Sequence, residues 1–459
     1  MLRVKGHILI YMLGLTLVLF LLCVASHAEV LQVKAGQSIQ KAIQGAGPGD
    51  TIEVGSGLYK ENLVVSQRII LKGADTGGGR PVIDVFGNGS AITLTTDSVT
   101  LEGFIAKNSL GKRAGGIKVI SNNNIIKDNV VKENENGIIL INSSNNKIVD
   151  NLASNNVGAG ISASLHSNGN IIQGNDANHN TFGIFLVECS NNRIEGNEAR
   201  DNNRGIDINQ SSSNQIKANR LEGNIFGIYA DYSNGNSFKN NEANGNTFGI
   251  FVASSSDENT IEDNEASNNK GPGISIAYRS SNNIIRNNTA RKNGDEDLMG
   301  IGIWIFDNCS GNSIEDNSLT LNQVGIELMV SCNDNTVAGN NVDQNLEGIF
   351  IKNSSSHNMV VGNDVHDNEY KGAYIDKTSR NNIVYNNNII NNKIYNAYCM
   401  GVNQWDNGKR GNHYSEFDDD QEGCRDADGN SICDSGYTIP GGSNVDSHPL
   451  ISWRRDYDA

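Results

Sequence analysis

The side chains with the clearest ligand-holding pattern lie near the C-terminus. Asp426, Asp428, Asn430 and Asp434 alternate as D-x-D-x-N-x-x-x-D. Three oxygen side chains, the Ile432 carbonyl and a closing carboxylate can therefore converge on one hard cation, and calcium is the fit. The loop is not an EF-hand, because Gly429 is misplaced for that turn and Tyr437 stands where the closing Glu belongs. Cys424 and Cys433 bracket the loop and can staple it, although Cys399 can instead claim either of them. The competing reading is an acidic, solvated tail, which Asp418, Asp419, Asp420 and Glu422 just upstream would suit.

A second set recurs along the chain. Phe185, Tyr229, Phe251, Trp304, Phe350 and Tyr374 each stand two residues after a glycine of a repeating unit, in a protein that is only 6% aromatic. Lys118, Ile139, Ser162, Asp207, Ser275 and Glu327 fill the same position in the other units, and Tyr232, Tyr278 and Phe306 fall near it. Rings repeating in register form a stacking platform for sugar rings, a docking strip for another chain, or a stripe that merely packs on itself. Glycoside hydrolysis would need two carboxylates about 5 to 9.5 Å apart. Asp207, Asp231, Asp307, Glu327 and Asp376 are the acids near the stripe, and Asp207 with Asp231 has a suitable spacing. A lyase base is not visible, since Arg204 and Arg279 do not line up with these acids. There is no serine or cysteine nucleophile motif and no phosphate-binding loop. Soft metal ligands do not cluster either: His166, His179, His357 and His366 fall in different units, and Met329, Cys309 and Cys332 are the nearest approach. Cys309 and Cys332 both follow their unit's glycine by seven residues in adjacent units, so a disulfide or a close thiol pair is expected.

The elements that position these groups are short and repetitive. Glycine followed by an aliphatic residue recurs at positions 116, 137, 160, 183, 205, 227, 249, 273, 302, 325, 348 and 372. Each unit of about 23 residues also carries an Asn-x-aliphatic-x-x-Asn core, as at Asn146–Asn151 and Asn192–Asn197, with a further Asn five residues on. Gly-Ile-x-Ile has the strand period of two, and this density of Gly and Asn excludes helical repeats. Stacking one unit per strand spacing places Ile on Ile and Asn on Asn. The expected fold is an all-β, right-handed, single-stranded parallel β-helix, with the residues one and three after each glycine turned inward. Twelve coils make a rod of about 58 Å. Residues 34–55 predict a short helical cap with Ser38 as N-cap, followed by irregular strands at 51–54, 62–65, 69–72, 82–85, 92–95 and 99–104. The resulting division is a cap with first coils at 29–115, regular repeats at 116–394 and an irregular C-terminal cap at 395–459. An insertion at 294–299 lengthens one unit beside Trp304, where it could wall a cleft.

Arg3 and Lys5 precede an apolar run from Ile8 to Val24 and small residues at 26–28, which predicts a signal peptide over 1–28; an uncleaved anchor is the alternative. Its removal leaves 34 basic against 52 acidic residues. Such a surface repels polyanions and argues against nucleic acid. No second run of spanning length follows, and the six remaining cysteines suit an oxidising compartment.

The opening SIQKAIQGAGPGDTIEVGSGLYKENLVV, the Asn-rich coils, and the closing NQWDNGKRGNHYSEF, DADGNSICD and GGSNVDSHPL resemble NosD-like right-handed parallel β-helix proteins over residues 31–451. The resemblance implies a pectate-lyase-like fold and a secreted, periplasmic or cell-surface location. It leaves three functions open. The first is a monomeric, non-catalytic module that binds carbohydrate or builds a surface. The second is a polysaccharide lyase, epimerase or hydrolase, and the third an accessory protein for metal-enzyme maturation.

Overall fold

The computed structural model describes residues 28–453. The expected signal peptide thus lies outside the described residues except for Ala28. The chain winds into a right-handed parallel β-solenoid whose coils contribute to three sheets. The first sheet has 16 strands, from Val30–Val33 to Ile383–Tyr385, and the second has 15, from Leu63–Val65 to Tyr395–Cys399. The third runs in stretches of four, three and six strands, joined by isolated bridges at Leu152, Asp176 and Glu265. Ile39–Gly45 is the described α-helix, and the Ser38 hydroxyl caps it by accepting from the Lys41 amide at 3.2 Å.

Register follows the repeat. Ile206 pairs with Ile228 and Ile228 with Ile250, and all three are fully buried. The inward aliphatic columns of the three sheets form one core along the rod. The repeat glycines sit where successive coils approach most closely. A Cβ on Gly227 would lie 2.6 Å from the Gly249 carbonyl oxygen and 2.9 Å from Asn246 Nδ2. The chain turns a corner at this residue. In consequence the residues before the glycine and two after it, Phe226 and Tyr229 in this coil, both reach the outer surface, while Ile228 between them stays in the core.

Three columns of buried asparagines run along the axis, from Asn124 to Asn403, Asn129 to Asn412 and Asn134 to Asn392. Asn241 shows the pattern. Its Oδ1 accepts from the backbone N–H (3.1 Å) and Nδ2 (3.0 Å) of Asn219 in the coil below. Its Nδ2 donates to the Ile216 carbonyl (2.9 Å) and to Asn264 Oδ1 in the coil above (2.9 Å). Every amide points the same way, so each column ends with donors at the C-terminal end. There the backbone N–H groups meet Asn444 Oδ1 above Asn403, Asp446 Oδ2 above Asn412 and Asn396 Oδ1 above Asn392. Asn444 and Asp446 flank or belong to the strand Val445–Asp446, which pairs antiparallel with Tyr437–Thr438 in the C-terminal cap.

Candidate functional site

Two outward columns run up the second sheet, one from the residues preceding the repeat glycines and one from those two after them. Between Phe226 and Lys352 they line a cleft of about 630 Å³. Tyr229, Phe251 and Trp304 lie along its centre, and Phe226, Phe248 and Pro272 come from the neighbouring column. The inserted loop supplies Leu298 and the exposed Met299, and Glu327, Met329 and Lys352 complete the upper end. The insertion therefore does wall a cleft beside Trp304.

The rings do not stand free as the alternating pattern suggested. Phe251 is 7% and Phe350 8% exposed, and the other four expected residues are half-buried. They pack on one another both across coils and within a strand. Tyr229 stacks on Phe251 with centroids 5.8 Å apart, Phe226 on Phe248 at 5.0 Å and Trp304 on Phe306 at 4.4 Å. Of the six, Tyr229, Phe251 and Trp304 reach the cleft. Phe185 instead packs on Phe182 at 4.8 Å, and Phe350 on Tyr374 at 4.8 Å. The repeat pattern missed Phe226 and Phe248 because it counted one outward position per coil, whereas the glycine corner makes two. Beneath the rings, Trp304 Nε1 and Ser275 Oγ have no hydrogen-bond partner among the described residues, so their bonding capacity is unspent.

Charge on this face is held in pairs. Arg204 donates from Nη1 to Asp207 Oδ2 at 2.6 Å and lies 4.1 Å from the Tyr229 ring centroid. This corrects the expectation that Arg204 and the acids are unaligned: the corner at Gly205 turns both side chains outward from one strand. Burial pushes the Asp207 carboxyl up to about 6, the charge of Asp231 adds to the rise, and Arg204 opposes it. Burial and the neighbouring Asp231 push Tyr229 up to about 12. Asp207 is 1% exposed, so it does not present a carboxylate to a ligand as the Asp207–Asp231 pairing requires. Glu327, also 1% exposed, is ion-paired with Lys352 from the next coil. Asp376 is committed to a turn, accepting from the Asn353 and Ser379 amides.

In the C-terminal cap, Asp426 Oδ1 accepts from the Gly429 and Asn430 amides and Oδ2 from Ser431. Asn430 donates to Asp428, its Oδ1 accepts from the Ile432 amide, and Asp434 accepts from Ala427. Backbone donors thus close the loop on itself. Among the described residues, the acids whose oxygens lie within 4.8 Å of one another are Asp418, Asp419 and Glu422, upstream of the expected ligands. Cys424 and Cys433 form a disulfide with Cα atoms 4.8 Å apart. Cys399 remains a buried thiol against Asn403. Cys309 and Cys332 are neighbours but stay thiols, each bonded to its own turn, Sγ to the Phe306 carbonyl at 3.2 Å and to the Met329 carbonyl at 3.1 Å. The side-chain hydrogen bond they share and burial hold the Cys309 thiol up.

A family model described as periplasmic copper-binding protein (NosD) matches residues 200–346 and 299–419, and one described as right handed beta helix region matches 88–243. Among the described residues, the soft ligands that the sequence brought nearest, Met329, Cys309 and Cys332, do not converge. Met329 points outward to the cleft while Cys309 and Cys332 point into the core, and the acids that converge offer hard oxygen donors. No curated protein matches the chain. Among solved structures it is similar to the Dettilon tailspike protein, at 18% identity and TM-score 0.46 over 66% of this chain and 62% of that one. It is also similar to the PL6 family polysaccharide lyase Pedsa3628 from Pseudopedobacter saltans, at 14% and 0.49 over 63% and 84%. A third is the catalytic domain of a GH87 alpha-1,3-glucanase, at 15% and 0.47 over 73% and 69%.

Proposed function

From the premise that this chain belongs to the NosD-like parallel β-helix family, we propose that it is an extracytoplasmic, non-catalytic binding module that seats a glycan chain along the outer face of its second sheet. The observation that carries this reading is the cleft at Trp304, where rings from successive coils and an inserted loop make an apolar trough. Sugar rings present C–H faces that stack on such aromatics. Tyr229 and Phe251 stand one coil apart and Trp304 two coils beyond Phe251, at a rise of about 4.8 Å per coil, which suits an extended ligand lying along the axis. The family description as periplasmic and the disulfide in the C-terminal cap support a location outside the cytoplasm. Within the described residues no helix is long and apolar enough to cross a membrane.

A non-catalytic role is supported by the withdrawal of Asp207 and Glu327 into ion pairs beneath the surface. One observation favours catalysis instead: a carboxyl held near 6 beside an arginine and a tyrosine has the protonation balance of a general acid or base. Affinity electrophoresis on immobilised glycans separates the readings when run beside an assay for new reducing or unsaturated ends. The expected result is retention without product. Trp304→Ala, alone and with Phe251→Ala, should weaken retention about tenfold or more while leaving the far-ultraviolet spectrum unchanged. Product release would overturn the non-catalytic role, and retention that ignores both substitutions would leave the rings a packing feature.

A further inference from the structure

The charges around the cleft narrow its ligand. Its lining holds one carboxylate and one ammonium, Glu327 and Lys352, and they are bonded to each other. The cations at its two ends are spent as well. Arg204 is bound to Asp207 and spread over the Tyr229 ring, and Lys371 lies 3.7 Å from Glu347 and 5.3 Å from the Tyr374 centroid. Acids are in surplus, because Asp231 beside Tyr229 and Asp376 beyond Tyr374 have no cation bonded to them among the described residues. Of the cations without an ion pair among the described residues, Lys112, Arg113 and Lys118 gather around a separate pocket near the N-terminal end, and Arg279, which follows Tyr278, stands outside the lining. Lys118 stands in the column of Tyr229 but five coils away, about 24 Å at one strand spacing per coil.

A chain carrying a carboxylate or sulfate on each unit would lose hydration in this trough and find no free cation in its lining, while meeting surplus carboxylates beside it. An uncharged chain has neither penalty and keeps the full benefit of ring stacking. We infer that the cleft selects a neutral hexopyranose chain, such as an unsubstituted glucan, and rejects polyuronates and sulfated glycans. This rests on the reading of the cleft as a glycan site. It goes further by naming the substrate class and its physical cause, the pairing of the one cation in the lining, Lys352, with Glu327.

The test measures Trp304-dependent retention, the difference between the wild-type protein and Trp304→Ala, on gels containing a neutral glucan panel or a polyuronate at equal mass and low salt. The expected result is Trp304-dependent retention on a neutral glucan, at least tenfold stronger than on the polyuronate. Glu327→Gln keeps the side-chain volume and releases Lys352, so it should raise Trp304-dependent retention of the polyuronate about fivefold, as one freed charge at a half-buried site would. Trp304-dependent retention that favours the polyuronate in the wild-type protein would overturn the substrate class and leave the glycan site standing. If no polymer shows it, the glycan site itself falls. Both outcomes are read on the wild-type chain and Trp304→Ala, so they do not depend on whether Glu327→Gln folds.

Discussion

Replacing Asn241 by alanine tests whether the asparagine columns hold the solenoid. The side chain is 1% exposed and makes four hydrogen bonds, two accepted from Asn219 and one each donated to the Ile216 carbonyl and Asn264. Each buried bond contributes about 1 kcal/mol net, and a stranded partner costs about 1 to 3 kcal/mol. Asn264 keeps the Asn241 backbone N–H at 2.9 Å, so the upper side is only partly stranded. The lower side leaves the Asn219 backbone N–H without its partner and removes one bond each from Asn219 Nδ2, which keeps the Ile194 carbonyl, and from the Ile216 carbonyl. The sum is a loss of roughly 4 kcal/mol. Contacts in a solenoid are made between neighbouring coils, so the loosening should centre on the coils of Asn219 and Asn264. Urea denaturation followed by circular dichroism gives the magnitude, and amide hydrogen exchange gives the location. Asn203→Ala, on an exposed side chain of the same region, should stay within about 0.5 kcal/mol. A loss below about 1 kcal/mol for Asn241→Ala, or exchange that rises uniformly along the rod, would refute the reasoning.

Other outcomes follow from the same geometry. Burial pushes both Asp207 and Asp446 up to about 6, above the ordinary carboxylate value, so the folded state binds more protons than the unfolded one between about pH 4 and 6. Their contribution to stability is therefore greatest below that window and is lost as pH rises through 6. Asp446→Asn should flatten this part of the stability–pH curve by an amount of order 2 kcal/mol, and an unchanged curve would contradict the assignment. For the C-terminal cap we propose calcium. Chelation should then make residues 400–451 protease-sensitive before the coils, whereas equal resistance with no calorimetric calcium signal rejects it. Cys309 and Cys332 occupy a buried turn column that is serine in adjoining coils, where the Ser256 amide donates to Ser280 Oγ at 3.1 Å. Replacing both with serine should shift stability by no more than about 1 kcal/mol, and in the wild-type protein alkylation should await unfolding.

Much of the architecture was readable because one spacing repeats. The inward isoleucines, the stacked asparagines and the Ser38 cap all follow from local period and residue type, and they are found where those rules put them. The cleft was less readable, since it depends on a bend and not on a period. The corner at each repeat glycine brings Phe226 and Phe248 to the surface beside Tyr229 and Phe251 and sets Arg204 on Asp207. A strand pattern with one outward residue per turn contains neither event. The insertion was visible at once as six extra residues, but only packing shows Leu298 and Met299 turned toward Trp304. In the C-terminal cap the alternation of acids was legible, yet their hydrogen bonds to the loop's own amides depend on turn geometry that spacing does not encode.

The one-way orientation of the asparagine amides gives the rod a grammar like that of a directional polymer. Any coil can follow any other, since each presents acceptors downward and donors upward, but the final coil must meet a stop signal that accepts its donors without continuing the column. Asn396, Asn444 and Asp446 are that signal, one per column. Rod length is then a free variable of the architecture, and whole coils can be gained or lost between fixed ends without redesigning either. Grafted onto the last turn of a shorter or longer array, the segment from Asn396 to Asp446 should act as a portable terminator, while the same segment placed at the first turn would have no donors to receive.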